Sequence, residues 1–226
     1  MSSLFATRSV GVRSADETLV LDLLRRRDLA ALSAWAGERR GAEIILNRFL
    51  FHGEELIRWR AIEGFGRLAR LRAERGLEGV RSLIRRFLWA MNDESGNSLW
   101  HAPELVGEML SQVAALTPEF APAIPAQAGD PRYCRGAHWA MARVAGVTPA
   151  AFDDSPLLLR GSMRDDDPYV RGMAVQAIGP AATARLRPEL ERLQDDGAVF
   201  DWYDAQHGDF RRSTVGNLVR KKLALP

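Results

Sequence analysis

The sequence carries a single cysteine, Cys134, in 226 residues. This excludes an internal disulfide framework and fits a reducing compartment. Lysine is nearly as scarce: Lys221 and Lys222 are the only two, so the basic side chains are almost all arginine. With 31 basic against 29 acidic residues the formal charge is +2, which gives no general electrostatic field for nucleic acid. No apolar run approaches the roughly 20 residues that a membrane helix needs. Residues 1–15 lack the apolar stretch of a secretion signal and read as a loose arm, with 16–226 as one domain placed in the cytoplasm. Sustained two-residue alternation is missing, which predicts no sheet. Also missing are a phosphate loop, a dinucleotide fingerprint and zinc-ligand spacing. Ser95 lies in Glu-Ser-Gly rather than in a nucleophile elbow, and no His-Asp arrangement accompanies it.

What is present is a repeat. Val170-Arg171-Gly172-Met173-Ala174-Val175-Gln176-Ala177-Ile178-Gly179, introduced by Asp167-Pro168, runs almost in register with Ile57-Arg58-Trp59-Arg60-Ala61-Ile62-Glu63-Gly64-Phe65-Gly66. Taking Arg171 as reference, the matching positions are Arg58, Leu99, Arg135, Arg171 and Arg211, spaced 41, 36, 36 and 40 apart. A period of this size marks a stack of helical units. The second unit also aligns Trp59, Ala61, Glu63 and Gly66 with Trp100, Ala102, Glu104 and Gly107. Cys134 falls where Val170 does, so it reads as a small core residue rather than a reactive thiolate beside Arg135.

The fold class expected is therefore all-α, an α-solenoid of about six helical hairpins. The helix pairs are 16–26 with 28–38, 41–52 with 55–72, 77–91 with 99–116, 118–128 with 132–145, 153–165 with 168–179, and 185–196 with 205–223. Thr117-Pro118, Asp130-Pro131, Thr148-Pro149 and Asp167-Pro168 read as caps, since proline suits the first helical position. Pro122 and Pro125 weaken 118–128, and 197–206 is a long connection. Ala61, Ala102, Ala174 and Ala177 suit close helix approach.

The segment 167–179 resembles the HEAT repeat, in particular the short form found in phycobilisome-lyase-type proteins. The run Trp89-Ala90-Met91-Asn92-Asp93-Glu94-Ser95-Gly96, with Trp100 and Pro103-Glu104, is similar to an uncharacterised HEAT-like family of sulfate-reducing bacteria. The first resemblance implies that second helices line a concave face, so that Arg58, Glu63, Glu104, Arg135 and Arg171 approach one groove.

Two constellations are candidates for function. One is the turn Asn92–Ser98, with Asn92, Asp93 and Glu94 flanked by Trp89, Trp100 and His101. Turn chemistry explains much of it. The other is Trp59, Glu63, Trp100, Glu104 and Arg135, in which indoles offer stacking faces and charged groups fix orientation. The glutamates can instead form a structural ladder with Arg60 or Arg135. Trp35, Trp89, Trp139 and Trp202 read as packing. His101 and Glu104 have the i, i+3 spacing of di-iron carboxylate motifs. However, the adjacent His-Glu pairs of HEAT-like deoxyhypusine hydroxylases are missing, so no metal and no cofactor is expected.

The function expected is non-enzymatic binding or scaffolding, with a protein partner or a small ligand in the concave groove, without nucleic acid or membrane. Two alternatives follow from resemblance. Trp59, Glu63, Trp100, Glu104, Arg135 and Trp139 echo the groove of HEAT-like alkylpurine DNA glycosylases. The phycobilisome-lyase likeness implies a tetrapyrrole lyase or chaperone.

Overall fold

The computed structural model describes residues 14–92 and 99–224. Most of the expected arm, and Asp93 and Glu94 of the candidate turn, lie outside these residues. Helix α1 (Ala15–Arg26) starts at a capping box: Glu17 N–H donates to Ser14 Oγ at 3.2 Å, and Ser14 N–H donates to the Glu17 carboxylate at 3.1 Å. It ends at Arg27, whose φ of 53° is the only left-handed value at a non-glycine among the described residues. Asp28 then accepts from Ala31 N–H at 2.9 Å and caps α2 (Leu29–Glu38).

The next helices alternate in two rows. Helices α3 (Ala42–Phe49) and α5 (Glu78–Met91) belong to the first row. The second row is α4 (Glu55–Ala73), α6 (Ala102–Gln112), α8 (Cys134–Ala145) and α10 (Pro168–Ala177), packed side by side in that order. Its members approach closely because small residues meet. A Cβ on Gly107 of α6 would lie 2.6 Å from the Ala140 Cβ of α8. Between the rows sit Ile62, Phe65, Ile84, Leu105, Met109 and Met141, all buried. Each such side chain contributes about 1.5–3 kcal/mol relative to exposure.

The prolines shape the fourth first-row element as expected. It is reduced to a one-turn α7 (Thr117–Phe120) and two 3-10 turns, Ala121–Ala123 and Pro125–Gln127. Of the four expected caps, Asp167 accepts from the Tyr169 N–H at 3.0 Å, with Pro168 at the first position of α10. The other three differ. Helix α7 begins at Thr117 itself without a side-chain cap, while Asp130 and Thr148 precede turns. Helix α9 (Pro156–Ser162) follows, and α11 (Pro180–Arg185) and α12 (Arg187–Arg192) lead to the C-terminal region.

There the expectation of a chain without sheet is corrected. Strands β1 (Val199–Asp204) and β2 (Asp209–Thr214) form an antiparallel hairpin, pairing Trp202 with Arg211 and Tyr203 with Phe210. Its turn closes at Gly208, with φ 73°. Helix α13 (Val215–Leu223) follows, so 205–223 is helical only in its second half. Strict alternation is absent from β1 because Tyr203 is buried and the adjacent Trp202 is half-buried. Consequently the two-residue signal that marks a one-sided strand was not there to read. Arg211, the fifth repeat position, stands on β2 rather than on a helix.

Candidate functional site

The second-row helices make a concave wall. Trp59 of α4 and Trp139 of α8 have ring centroids 4.8 Å apart, although α6 lies between their helices. Side chains two helices apart touch only if the row curls toward them. The hollow so formed is filled by the chain's own hairpin. Tyr203 stacks on Trp59, with centroids 5.0 Å apart and planes 9° from parallel. Phe200 lies edge-on to Tyr169 and fills the space that a Cβ on Gly172 of α10 would need.

Three side chains of the helical array grip the backbone of this segment. Trp139 Nε1 donates to the Tyr203 carbonyl at 2.8 Å, Arg27 Nη2 to the Ala205 carbonyl at 2.6 Å, and Arg60 Nε and Nη2 to the Gly208 carbonyl at 3.4 and 3.3 Å. The left-handed Arg27 is what turns the chain between α1 and α2 while its side chain enters the hollow. Beside the hairpin a cavity of about 200 Å³ remains, walled by Trp139, Arg143, Met173, Gln176, Trp202 and Asp204.

Three buried glutamates lie beneath. Glu63 takes a two-pronged ion pair from Arg27, at 3.0 Å from Nε and 2.8 Å from Nη2. That carboxylate raises the Arg27 pKa further above its already high ordinary value, and burial, with the Glu63 charge adding to it, pushes the Tyr203 phenol up. Glu108 accepts from Arg143 Nε at 2.6 Å and from Gln112 at 3.0 Å. Its pKa is pushed up by complete burial, a push that Arg143 opposes. Glu104 differs. One oxygen lies 3.5 Å from His101 Nδ1, and the other is buried against Gly136 without a hydrogen-bond partner. The Tyr169 phenol is pushed up by burial, with the Glu104 charge adding to it.

The sequence-derived candidates separate into three groups. Trp59, His101 and Glu104 come together, with Trp59 and His101 6.4 Å apart. Glu63 joins the hairpin contact through Arg27, so its partner is neither Arg60 nor Arg135. Arg58 and Arg171 do not line the groove. Each turns back on its own connecting loop in the same way: Arg58 Nη1 donates to the His52 and Gly53 carbonyls at 2.8 and 3.3 Å, and Arg171 Nη1 to the Asp165 and Asp166 carbonyls at 2.8 and 3.0 Å. At these two repeat positions the arginine thus clasps a helical hairpin internally, and Arg171 also pairs with Asp196 at 2.9 Å. Arg135 is exposed, bonds Asp167 at 2.6 Å and covers the Tyr169 ring. Trp100 and Trp89 are exposed by 66% and 68%, and Asn92 donates to the Leu88 carbonyl at the end of α5.

Arg27 and Tyr203 carried no candidate signal in the sequence. A cluster of aromatics on both sides of Gly208 was the available clue, weakened because the four-residue turn lacks the two-residue signature of the commonest hairpins. Cys134 is half-buried, and burial with the charges of Asp165 and Asp167 pushes its thiol pKa up, away from a reactive thiolate. Among the described residues no group of three or more His, Cys, Asp or Glu is arranged to hold a metal ion. No described helix is long and apolar enough to cross a membrane.

No protein-family model matches the sequence, and no curated protein matches it. Solved structures do. A designed armadillo repeat protein in complex with the peptide (KR)4 aligns over 93% of this chain and 98% of its own, with a TM-score of 0.53 and 16% identity. A HEAT-like repeats protein from the archaeon Thermococcus onnurineus NA1 aligns over 94% and 100%, with a TM-score of 0.35 and 10% identity. The likeness to the designed repeat protein is one of fold, and the fold is an α-solenoid of the helical-repeat class.

Proposed function

We propose that this chain is a non-enzymatic helical-repeat scaffold that takes a strand-and-turn segment of a protein partner in its concave groove. One observation carries the reading. Donors from three separated places in the array, Arg27, Arg60 and Trp139, all end on main-chain carbonyls of one short segment, Tyr203 at the end of β1 and Ala205 and Gly208 in the turn that follows. A surface that reads main-chain groups in this way recognises a stretch of chain rather than a reacting group. Two of the three buried glutamates, Glu63 and Glu108, are neutralised by arginines, and Trp59 is covered by a ring. That covering also removes Trp59 and Glu63 from reach of a DNA duplex, and the described geometry offers nothing specific to a tetrapyrrole. The (KR)4 peptide in complex with the armadillo neighbour is consistent with peptide binding on this fold.

Selection from a displayed library of unstructured peptides, followed by photo-crosslinking of the enriched sequences, tests the proposal. Crosslinks on α4, α8 and α10 support it. Crosslinks confined to α3, α5 and α9, or no enriched sequence at all, would overturn it.

A further inference from the structure

The groove described above already contains the end of β1 and the turn that follows it. We infer that residues 199–208 are a ligand held in cis, and that the partner is a strand-and-turn segment of the same aromatic–acidic chemistry, entering as the hairpin leaves. This rests on the segment-binding reading under Proposed function and adds to it the partner's chemistry and the route of access.

Three features argue for exchange. The first is the kind of contact. Trp139, Arg27 and Arg60 bond to carbonyls, which every peptide has, so the grip transfers to another chain without redesign. What is specific is the ring stacked on Trp59, supplied by Tyr203, and the acid that follows it, Asp204, which lies 2.6 Å from His207 Nδ1 and walls one cavity with Arg143. Aromatic stacking with an adjacent acid is therefore the pattern a competitor must supply.

The second is how weakly the occupant is secured on its outer side. A two-stranded hairpin is marginal by itself, and β2 is exposed along most of its length. Beyond it, α13 has its own anchors: Thr214 caps its first turn, and Lys222 donates to the Ile178 carbonyl at 2.7 Å. The strands can leave while α13 stays docked. The third is the incomplete fit. The cavity of about 200 Å³ between Trp202, Asp204 and the walls of α8 and α10 is space the cis segment leaves unfilled. A partner with a larger side chain there gains contacts that the hairpin lacks.

The test uses the full chain and a fluorescent synthetic peptide of residues 199–208, with (Lys-Arg)4 as the second probe. Tyr203→Ala loosens the occupant while leaving every groove residue in place. Anisotropy is expected to show the 199–208 peptide binding Tyr203→Ala at least tenfold more tightly than wild type, with (Lys-Arg)4 not binding. Circular dichroism checks that the helices persist. Should that variant unfold, hydrogen exchange on the wild-type protein replaces it: excess 199–208 peptide is expected to speed exchange at the amides of 199–214, and unchanged exchange overturns the inference. Equal affinity for wild type and folded Tyr203→Ala also overturns it. If the loosened variant binds (Lys-Arg)4 and not the 199–208 peptide, the groove reading stands and the aromatic–acidic partner falls. If it binds neither, both fall.

Discussion

Arg27 shows how one residue ties distant parts of this chain together. It adopts a left-handed backbone, neutralises the buried Glu63 and holds the Ala205 carbonyl. Glu63 is 4% exposed, so removing its partner leaves an uncompensated buried charge. Arg27→Met is expected to cost about 3–5 kcal/mol in urea unfolding, and Arg27→Met with Glu63→Met to recover much of it. An equal cost in the double variant would mean that the pair is not coupled. His138 gives a second test. Its Nδ1–H donates to the Cys134 carbonyl, and Ser162 lies 2.7 Å from Nε2. Burial lowers its pKa below the ordinary 6.5. The fold thus favours the neutral ring, and its contribution is complete above about pH 6.5 and lost as pH falls through the lower folded value. Urea midpoints measured from pH 7.5 to 5 are expected to decline for wild type and to decline less for His138→Gln. These roles were legible in part. Glu63 stood out as an acid in an apolar helix, and a structural ladder was its expected use. Its partner lies 36 residues away, in a turn whose side-chain direction no local pattern encodes.

The paired helices and the weak stretch at 118–128 were readable as elements because they depend on local chemistry: apolar periodicity, proline and turn residues. The hairpin was not, because β1 sits inside a groove and buries Phe200 and Tyr203, three positions apart, rather than alternate residues. The repeat arginine is visible in the sequence, but its use differs along the chain: Arg58 and Arg171 clasp the preceding loop, Arg135 reaches forward to Asp167, and Arg211 stands on β2. At the α6–α8 contact, small residues set the spacing. Gly107→Ala would place a Cβ 2.6 Å from that of Ala140, and overpacking of this kind costs about 1–3 kcal/mol. The matching loss in thermal stability is the expected outcome, whereas an unchanged melting temperature would show that α6 and α8 separate freely.

A solenoid whose units touch only their neighbours has roughly additive stability. This molecule departs from that rule because residues 178 and 148 apart are bonded through Arg27–Ala205 and Arg60–Gly208. Truncation before Pro180 removes the hairpin as well as the last helices. Amide protection is therefore expected to fall in α1 and α4 as well as in α10. Loss confined to α10 and its neighbours would show that the long-range closure contributes nothing. The same closure also sets an order of events during synthesis. Translation at roughly 5–20 residues per second takes about 10–35 s to proceed from Arg27 to Ala205. Throughout that interval the helices of the groove emerge before the segment that fills it. The nascent chain therefore displays the groove open, and on the ribosome a partner meets it without competition from the chain's own C-terminal strands.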